Sequence, residues 1–258
     1  MKRTLLTRLP EDLPRDYLPL LEGVSLYDSS CSPEARVIYI DRDGGYFLKC
    51  APKGSLAREA EMASYFHKKG LTAPVLSYLS AARDWLLTAR VRGEDATHAC
   101  YLLEPARLAE TTAMLLRELH ETDFSDCPVQ DRMESYFATV EEHYARGETD
   151  LSYVPFLSSA EEAYRVAMEG RTLLSSDTLL HGDYCLPNLI LDDWKFSGYI
   201  DLGNGGVGDR HVDLFWGAWT LAFNLGTDRY RDRFFDAYGR DRIHEDALRV
   251  IAAAEAFG

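Results

Sequence analysis

His181-Gly182-Asp183-Tyr184-Cys185-Leu186-Pro187-Asn188, followed by Ile200-Asp201-Leu202-Gly203, is the stretch on which the reading of this chain turns. Between the two segments lie the apolar run Asn188–Leu191, a turn at Asp192-Asp193-Trp194-Lys195 and a second run over Phe196–Ile200, which together predict a short hairpin. On both sides of it the pattern is helical. Leu108, Thr112, Leu115, Leu116 and Leu119 make an apolar stripe ending at His120, and Met133–Tyr144 and Glu161–Met168 are further helix candidates. Downstream, Asp209–Phe223, Asp228–Tyr238 and His244–Ala256 read as helices. Nearer the N-terminus the character changes. Arg36–Ile40 and Tyr46–Cys50 are β-branched or aromatic runs joined by the turn-forming Asp41-Arg42-Asp43-Gly44-Gly45. Leu56–Lys69 is a helix candidate that Gly70 ends, and Val75–Leu79 and Trp85–Val91 are strands around a turn at Ala81–Asp84. The chain therefore divides near residue 91 into a small β-rich lobe with one helix and a larger, mostly helical lobe, an α+β pattern.

Composition narrows the function classes. The chain has 258 residues, with 28 Lys plus Arg against 42 Asp plus Glu, a formal net charge of −14. That deficit of cations argues against nucleic acid and against anionic membrane surfaces as partners. No apolar run reaches the length of a membrane span, and Met1–Pro14 lacks the apolar core of a secretory signal. Cys31, Cys50, Cys100, Cys127 and Cys185 are odd in number, scattered and without a CxxC pair. They indicate thiols in a reducing, cytoplasmic setting, with neither a disulfide framework nor a zinc site.

An Asp with an Asn five residues later, then an Asp-x-Gly after a hairpin, is the layout of protein-kinase catalytic and metal-binding loops. Phosphoryl transfer from ATP needs Mg²⁺ held by hard oxygen ligands, which Asn188 and Asp201 supply. It also needs a carboxylate beside the attacking hydroxyl, the role left to Asp183. Each residue alone could cap a turn; the joint spacing points to the chemistry. The segments HGDYCLPN (181–188), SGYIDLGNGG (197–206) and DRHVDLFW (209–216) resemble the bacterial aminoglycoside 3'-phosphotransferases, in the kinase-like superfamily. LRELHETDFSDCP, WLLTARVRGE and the ending AEAFG agree in order and spacing.

The resemblance implies a protein-kinase-like two-lobe fold, with residues 1–91 as the nucleotide-binding lobe and 92–258 as the catalytic and acceptor-binding lobe. It implies transfer of the γ-phosphate of ATP, with GTP as the alternative donor, to a 3'-hydroxyl, with Mg²⁺. Lys49, on a strand with Phe47 on the same face, is the candidate phosphate-contacting lysine. Glu59, which shares a helix face with Met62, Ala63 and Phe66, is its expected carboxylate partner in preference to Glu61. There is no glycine-rich loop or Walker A motif. Ser29–Pro33 is the candidate phosphate-covering loop, through Ser30 or Ser32, as serine-bearing loops are in the resembled family. Thr88, Ala89 and Val91 fall at the expected hinge to adenine. His181 is expected to support the catalytic loop from a buried position, and Asp209 and Asp213 to cap and brace.

The implied acceptor is a small cationic aminocyclitol met by an otherwise monomeric or weakly dimeric protein. Glu148 and Asp150 match the family's acidic loop, and Glu255 and the terminal carboxylate of Gly258 its C-terminal acceptor contacts. Three departures stand beside this: Ala254 and Ala256 where the family has an Asp and an aromatic residue, one extra residue at Gly258, and Asn204 where it has an Arg. A kinase of the same fold acting on a macrolide, an amino sugar or a choline-like amine is the alternative. A nucleotide-binding pseudokinase is a third reading, opposed by the intact Lys49, Asp183, Asn188 and Asp201.

Overall fold

Alternation of side chains across strands organises the first part of the chain. The computed structural model describes residues 3–31 and 33–258. In chain order come β1 (Thr4–Leu5), α1 (Leu18–Leu21), β2 (Leu26–Asp28), β3 (Arg36–Ile40), β4 (Tyr46–Pro52), α2 (Ala57–Lys68), β5 (Val75–Ser80) and β6 (Arg83–Ala89). The strands form one antiparallel sheet in the order β1-β2-β3-β4-β6-β5. Successive residues of a strand point to opposite faces. Ile38, Ile40, Leu48, Cys50, Trp85 and Leu87 therefore share one face and pack with Tyr17 and Leu21 from the N-terminal segment. The intervening residues Ala51 and Leu86 take the other face, where Leu56 and Ala60 from the start of α2 cover them. Full burial of each large aliphatic side chain here contributes about 1.5–3 kcal/mol.

β6 begins at Arg83, earlier than the sequence pattern suggests, and stops at Ala89. The reason is Asp84. Its buried carboxylate accepts hydrogen bonds from Leu56 N–H (3.0 Å), the Tyr78 hydroxyl (2.9 Å) and the Ser80 hydroxyl (2.7 Å), so a residue that reads as a turn former lies inside the strand.

The remaining elements are β7 (Glu94–Asp95), α3 (Ala99–Leu102), α4 (Pro105–His120), α5 (Arg132–Arg146), α6 (Ala160–Gly170), β8 (Thr178–Leu180), β9 (Leu189–Asp192), β10 (Lys195–Tyr199), β11 (Gly206–Gly208), α7 (His211–Leu225), α8 (Arg231–Tyr238) and α9 (Glu245–Glu255). The chain forms two compact units, and each is discontinuous. The first comprises residues up to Asp95 together with Ile190–Gly203; the second comprises Ala96–Leu189 and Asn204–Gly258. The chain passes between the units three times, after Asp95, Leu189 and Gly203, where the sequence pattern gave one division near residue 91. The β9–β10 hairpin returns to the first unit because β9 pairs with β7, Glu94 opposite Leu191 and Asp95 opposite Ile190. A two-residue strand carries no local periodicity, so the sequence pattern did not reveal it.

The second unit has its own core. Val140 of α5, Ala163 and Ala167 of α6, Leu180 of β8, Val212 of α7, and Ile251 and Ala253 of α9 are all buried in it. β8 and β11 pair antiparallel, which holds the strand leading into His181 against the segment following Gly203. No helix among the described residues is long and apolar enough to cross a membrane.

Gly93 tests the β7–β9 crossing. It has φ +110°, and a Cβ there would lie 2.2 Å from the Leu191 carbonyl oxygen. Gly93→Ala is expected to lower the melting temperature by about 5–10 °C and to speed amide exchange in β9, measured by calorimetry and hydrogen exchange.

Candidate active site

Two sets of functional side chains are built, one in each unit. In the first, the alternation of β4 puts Lys49 on the face opposite Leu48 and Cys50. Its ammonium donates to Glu59 Oε2 at 2.7 Å and to Asp201 Oδ1 at 2.8 Å. Glu59 lies in the first turn of α2, on the side whose Met62, Ala63 and Phe66 are buried, while Glu61 is exposed. Burial opposes the Lys49 charge, but Asp201 and Glu59 outweigh it and hold its pKa up at about 12, so the ammonium stays charged. Burial also pushes Glu59 above the usual carboxylate range, against the pull of Lys49.

Asp201 is delivered by the end of β10. The Thr72 hydroxyl donates to the Tyr199 carbonyl at 2.6 Å, and Tyr199 N–H donates to the Leu71 carbonyl at 2.9 Å. The Phe66 ring meets Tyr199 edge-on at 6.2 Å. The helix that carries Glu59 therefore also anchors the strand that carries Asp201. Asp201 itself has φ +59°, a left-handed conformation that costs a non-glycine residue about 1–2 kcal/mol and is characteristic of functional positions.

Beside this set, Phe47, Val91, Ile190 and Ile200 line a cavity of about 180 Å³, with Arg3 and Arg90 among the polar groups at its rim. Glu94 and Asp95 line it too, so the apolar faces that would suit a flat heterocycle stand among charged side chains. The expected hinge is only partly available to such a ligand. Thr88 and Ala89 belong to β6, Ala89 N–H donates to the Pro74 carbonyl (3.0 Å), and Arg90 N–H donates to the Gly45 carbonyl (3.0 Å). Those two amides are already used within the sheet and its turn; Val91 faces the cavity. Ser30 is likewise engaged: its N–H donates to Asp28 Oδ1 and its hydroxyl accepts from Val37 N–H, both at 2.9 Å, so it shapes the loop. Ser32 lies outside the described residues.

In the second unit, Asp183 sits on a loop braced from below. Asp213, fully buried on α7, accepts His181 N–H and Gly182 N–H, each at 2.8 Å. His120 Nε2 lies 3.1 Å from the same carboxylate, and its Nδ1 lies 2.8 Å from the Tyr238 hydroxyl. Burial pulls the His120 pKa down, which keeps the imidazole neutral, donating from Nε2 and accepting at Nδ1. Gly182 is required here: its φ is +82°, and a Cβ would lie 1.9 Å from the Asn204 carbonyl oxygen. His181 is fully buried, and its Nδ1 accepts Asp183 N–H at 3.3 Å. The Asn188 amide NH₂ donates to Asp183 Oδ2 at 2.8 Å and to the Asp183 carbonyl at 3.0 Å. The remaining donor atom of Asn188 is thus its carbonyl oxygen. Asp201 likewise keeps one carboxylate oxygen beyond the one bound to Lys49. Both are hard oxygens of the kind Mg²⁺ takes.

The acidic segment and the chain's last residues meet within the second unit. Asp150 N–H donates to the Ala256 carbonyl at 2.8 Å, and His143 Nδ1 lies 2.5 Å from the Phe257 carbonyl oxygen. Glu148 and Asp150 are exposed. Glu255 is not: it is 5% exposed and accepts the Tyr136 hydroxyl (2.7 Å) and Trp216 Nε1–H (3.1 Å). Burial raises its pKa to about 7 against those two hydrogen bonds and the nearby Arg132, and the charge of Asp183 adds to the rise. Gly258 fits because it is small, since a Cβ there would lie 2.7 Å from Glu255 Oε2.

The family model described as "Phosphotransferase enzyme family" matches residues 31–251, a span that contains Lys49, Glu59, Asp183, Asn188 and Asp201. The chain belongs to this phosphotransferase family. A "Probable aminoglycoside 3'-phosphotransferase" of Lactococcus lactis is 51% identical over 251 residues, covering 96% of each chain. An aminoglycoside 3'-phosphotransferase of Niallia circulans is 30% identical, over 82% of this chain and 83% of that one. Among solved structures, an aminoglycoside-3'-phosphotransferase of type VIII aligns with a TM-score of 0.71 at 26% identity, over 90% of this chain and 91% of that one. The Streptomyces rimosus aminoglycoside phosphotransferase APH(3'')-Id, in complex with ADP and streptomycin, aligns at 0.70 and 26%, over 86% and 90%.

The sequence reading of this phosphotransferase did not find Ile190, Ile200 or Arg132. Ile190 and Ile200 lie two residues after Asn188 and one before Asp201, so the motif spacing held the signal. Arg132 has no such marker. Its guanidinium donates from Nε to the Asn204 carbonyl at 2.8 Å and from Nη2 to Asn204 Oδ1 at 3.4 Å, which gives the departure at 204 a local partner.

Glu255 sets a pH dependence of stability. Its folded pKa of about 7 lies above the ordinary 4.5, so the folded state keeps a proton that the unfolded chain has lost. Its contribution falls as pH rises from about 4.5 to 7 and is flat above that. Glu255→Gln keeps acceptors for Tyr136 and Trp216 and removes the charge. Denaturant unfolding should show the variant gaining up to about 3 kcal/mol on wild type between pH 5 and pH 8.

Proposed function

We propose that this phosphotransferase transfers the γ-phosphoryl group of ATP to the 3'-hydroxyl of an aminoglycoside. The observation that carries the reading is the Asp183–Asn188 pair. A carboxylate is fixed by a neighbouring amide on a loop that Asp213 braces, in a chain half identical to a named aminoglycoside 3'-phosphotransferase.

In this reading Asp183 accepts a hydrogen bond from the acceptor hydroxyl and takes its proton as the new O–P bond forms. The bond between the γ-phosphorus and the β,γ-bridging oxygen breaks, and its electrons leave with ADP. Lys49 holds the phosphates as a permanent cation, and Glu59 holds Lys49. Asn188 and Asp201 would ligate Mg²⁺, which when bound neutralises charge on the phosphate oxygens. Phe47, Val91, Ile190 and Ile200 take the adenine ring. Glu148, Asp150 and Glu255 face the acceptor's ammonium groups, and an ammonium beside Glu255 favours its ionised form. Residues up to Asp95 with the returning hairpin form the nucleotide-holding part, and the second unit the catalytic and acceptor-holding part. Ala254, Ala256 and Asn204 favour a shifted acceptor range, so kinase chemistry on another amine or sugar is the second reading.

Incubation with Mg-ATP and aminoglycosides with and without a 3'-hydroxyl, read by product mass, is expected to add one phosphate only where that hydroxyl is present. Phosphate appearing on non-aminoglycosides alone would select the second reading. Asp183→Ala should lower kcat by about 10²–10⁴-fold while nucleotide affinity, measured by calorimetry, stays within a few-fold of wild type.

A further inference from the structure

α7 carries an aromatic stripe where an amphipathic helix would be polar: Phe215 and Trp216 pack against the second unit's core, and Trp219 and Phe223 extend beyond it. Its buried positions are His211, Val212, Asp213, Leu214, Gly217, Thr220 and Leu221. The opposite stripe carries Phe215, Trp216 and Trp219, all half-buried, and Phe223, 70% exposed. Tyr153, from the segment after Asp150, closes onto this stripe. Its ring centroid lies 5.8 Å from Trp216, 5.8 Å from Trp219 and 6.4 Å from Phe215. Trp219 stacks on Phe223 at 5.0 Å with planes 12° apart.

A contiguous, partly exposed aromatic patch marks a binding surface. Carboxylates identify its occupant. Trp216 donates its indole N–H to Glu255 at 3.1 Å. Asp150, Glu255 and Cys185 all act electrostatically on Tyr153, whose phenol pKa is raised by burial first and then by those three groups. The patch therefore borders Glu255 within the second unit. Indole and phenol faces next to carboxylates suit a ring that carries ammonium groups, by cation–π attraction and by stacking against the ring's C–H face. A second copy of this chain is a poorer occupant, because it would bring another net charge of −14.

We infer that Tyr153, Trp216 and Trp219 form an aromatic wall of the acceptor site, against which an amino-sugar or aminocyclitol ring of the acceptor stacks. This rests on the proposed function and assigns specificity-determining residues to it. Trp219 is the residue to vary, since it is half-exposed and outside the core.

The test is steady-state kinetics and direct binding with kanamycin B, using its 3'-deoxy analogue as the unreactive ligand, on wild type, Trp219→Ala, Trp219→Phe and Tyr153→Ala. Trp219→Ala and Tyr153→Ala are expected to raise the acceptor KM, and the Kd of the deoxy analogue, about 5- to 30-fold. The KM for ATP should change less than twofold, and Trp219→Phe should recover part of the loss. In wild type, the deoxy analogue should quench tryptophan fluorescence, and Trp219→Ala should reduce that quenching. Wild-type turnover with an unchanged acceptor KM and Kd in both alanine variants overturns this inference alone. Concentration-dependent dimerisation that Trp219→Ala abolishes without moving the acceptor KM overturns it in favour of a self-association surface. A wild-type enzyme that phosphorylates no aminoglycoside overturns the functional reading and this inference with it.

Discussion

One ammonium group organises the first unit of this phosphotransferase. Lys49 stands between Glu59 and Asp201, 2.7 and 2.8 Å from the two carboxylates, and joins β4 to the helix that follows it and to Asp201, 152 residues on. Burial disfavours the charges of Lys49 and Glu59, while Asp201 is exposed. They persist because each is paired, and because the elements that carry them are tied together independently. α2 supplies Glu59 and holds Tyr199 through Phe66, and Leu71 and Thr72 just beyond its end hold it too, so the left-handed backbone at Asp201 is supported from outside the ion pair. The register of β4 does the rest: one residue of slip would turn Lys49 to the face of Leu48 and Cys50.

The second unit solves a different problem, the placement of one carboxylate without distorting it. Asp213 accepts two consecutive backbone N–H groups below the loop, and Asn188 grips Asp183 above them. His120 and Tyr238 complete the support with a neutral imidazole, so Asp213 braces the loop without a further buried cation. Asp209 works in parallel on His211 and Ser175. The bracing expected of both aspartates is therefore what their hydrogen bonds do.

The net charge of −14 gains a local meaning on the acceptor side. Glu148 and Asp150 are exposed carboxylates, while Glu255 is a buried one whose proton is exchangeable near neutral pH. The aromatic side chains around it exclude solvent and provide faces of their own. The residues that depart from the resembled family's pattern are fitted to this setting, with Gly258 against Glu255 and Asn204 against Arg132.

The groupings Lys49–Glu59–Asp201 and Asp183–Asn188 were legible in the linear sequence because the motif sets particular residue types at fixed spacings. Asp183, Asn188 and Asp201 lie within one such stretch, and strand and helix periodicity was enough to choose Lys49 and to prefer Glu59 over Glu61. Long strands and long helices were equally legible, since each repeats its pattern several times. What the sequence alone could not decide were features made by pairing between distant segments. The two-residue β7, the return of the hairpin to the first unit, the cavity walls at Ile190 and Ile200, the partners of Arg132 and the burial of Glu255 are of this kind. A residue's burial and pKa depend on what packs against it, and those neighbours are chosen by the fold, over separations at which no local repeat carries the information.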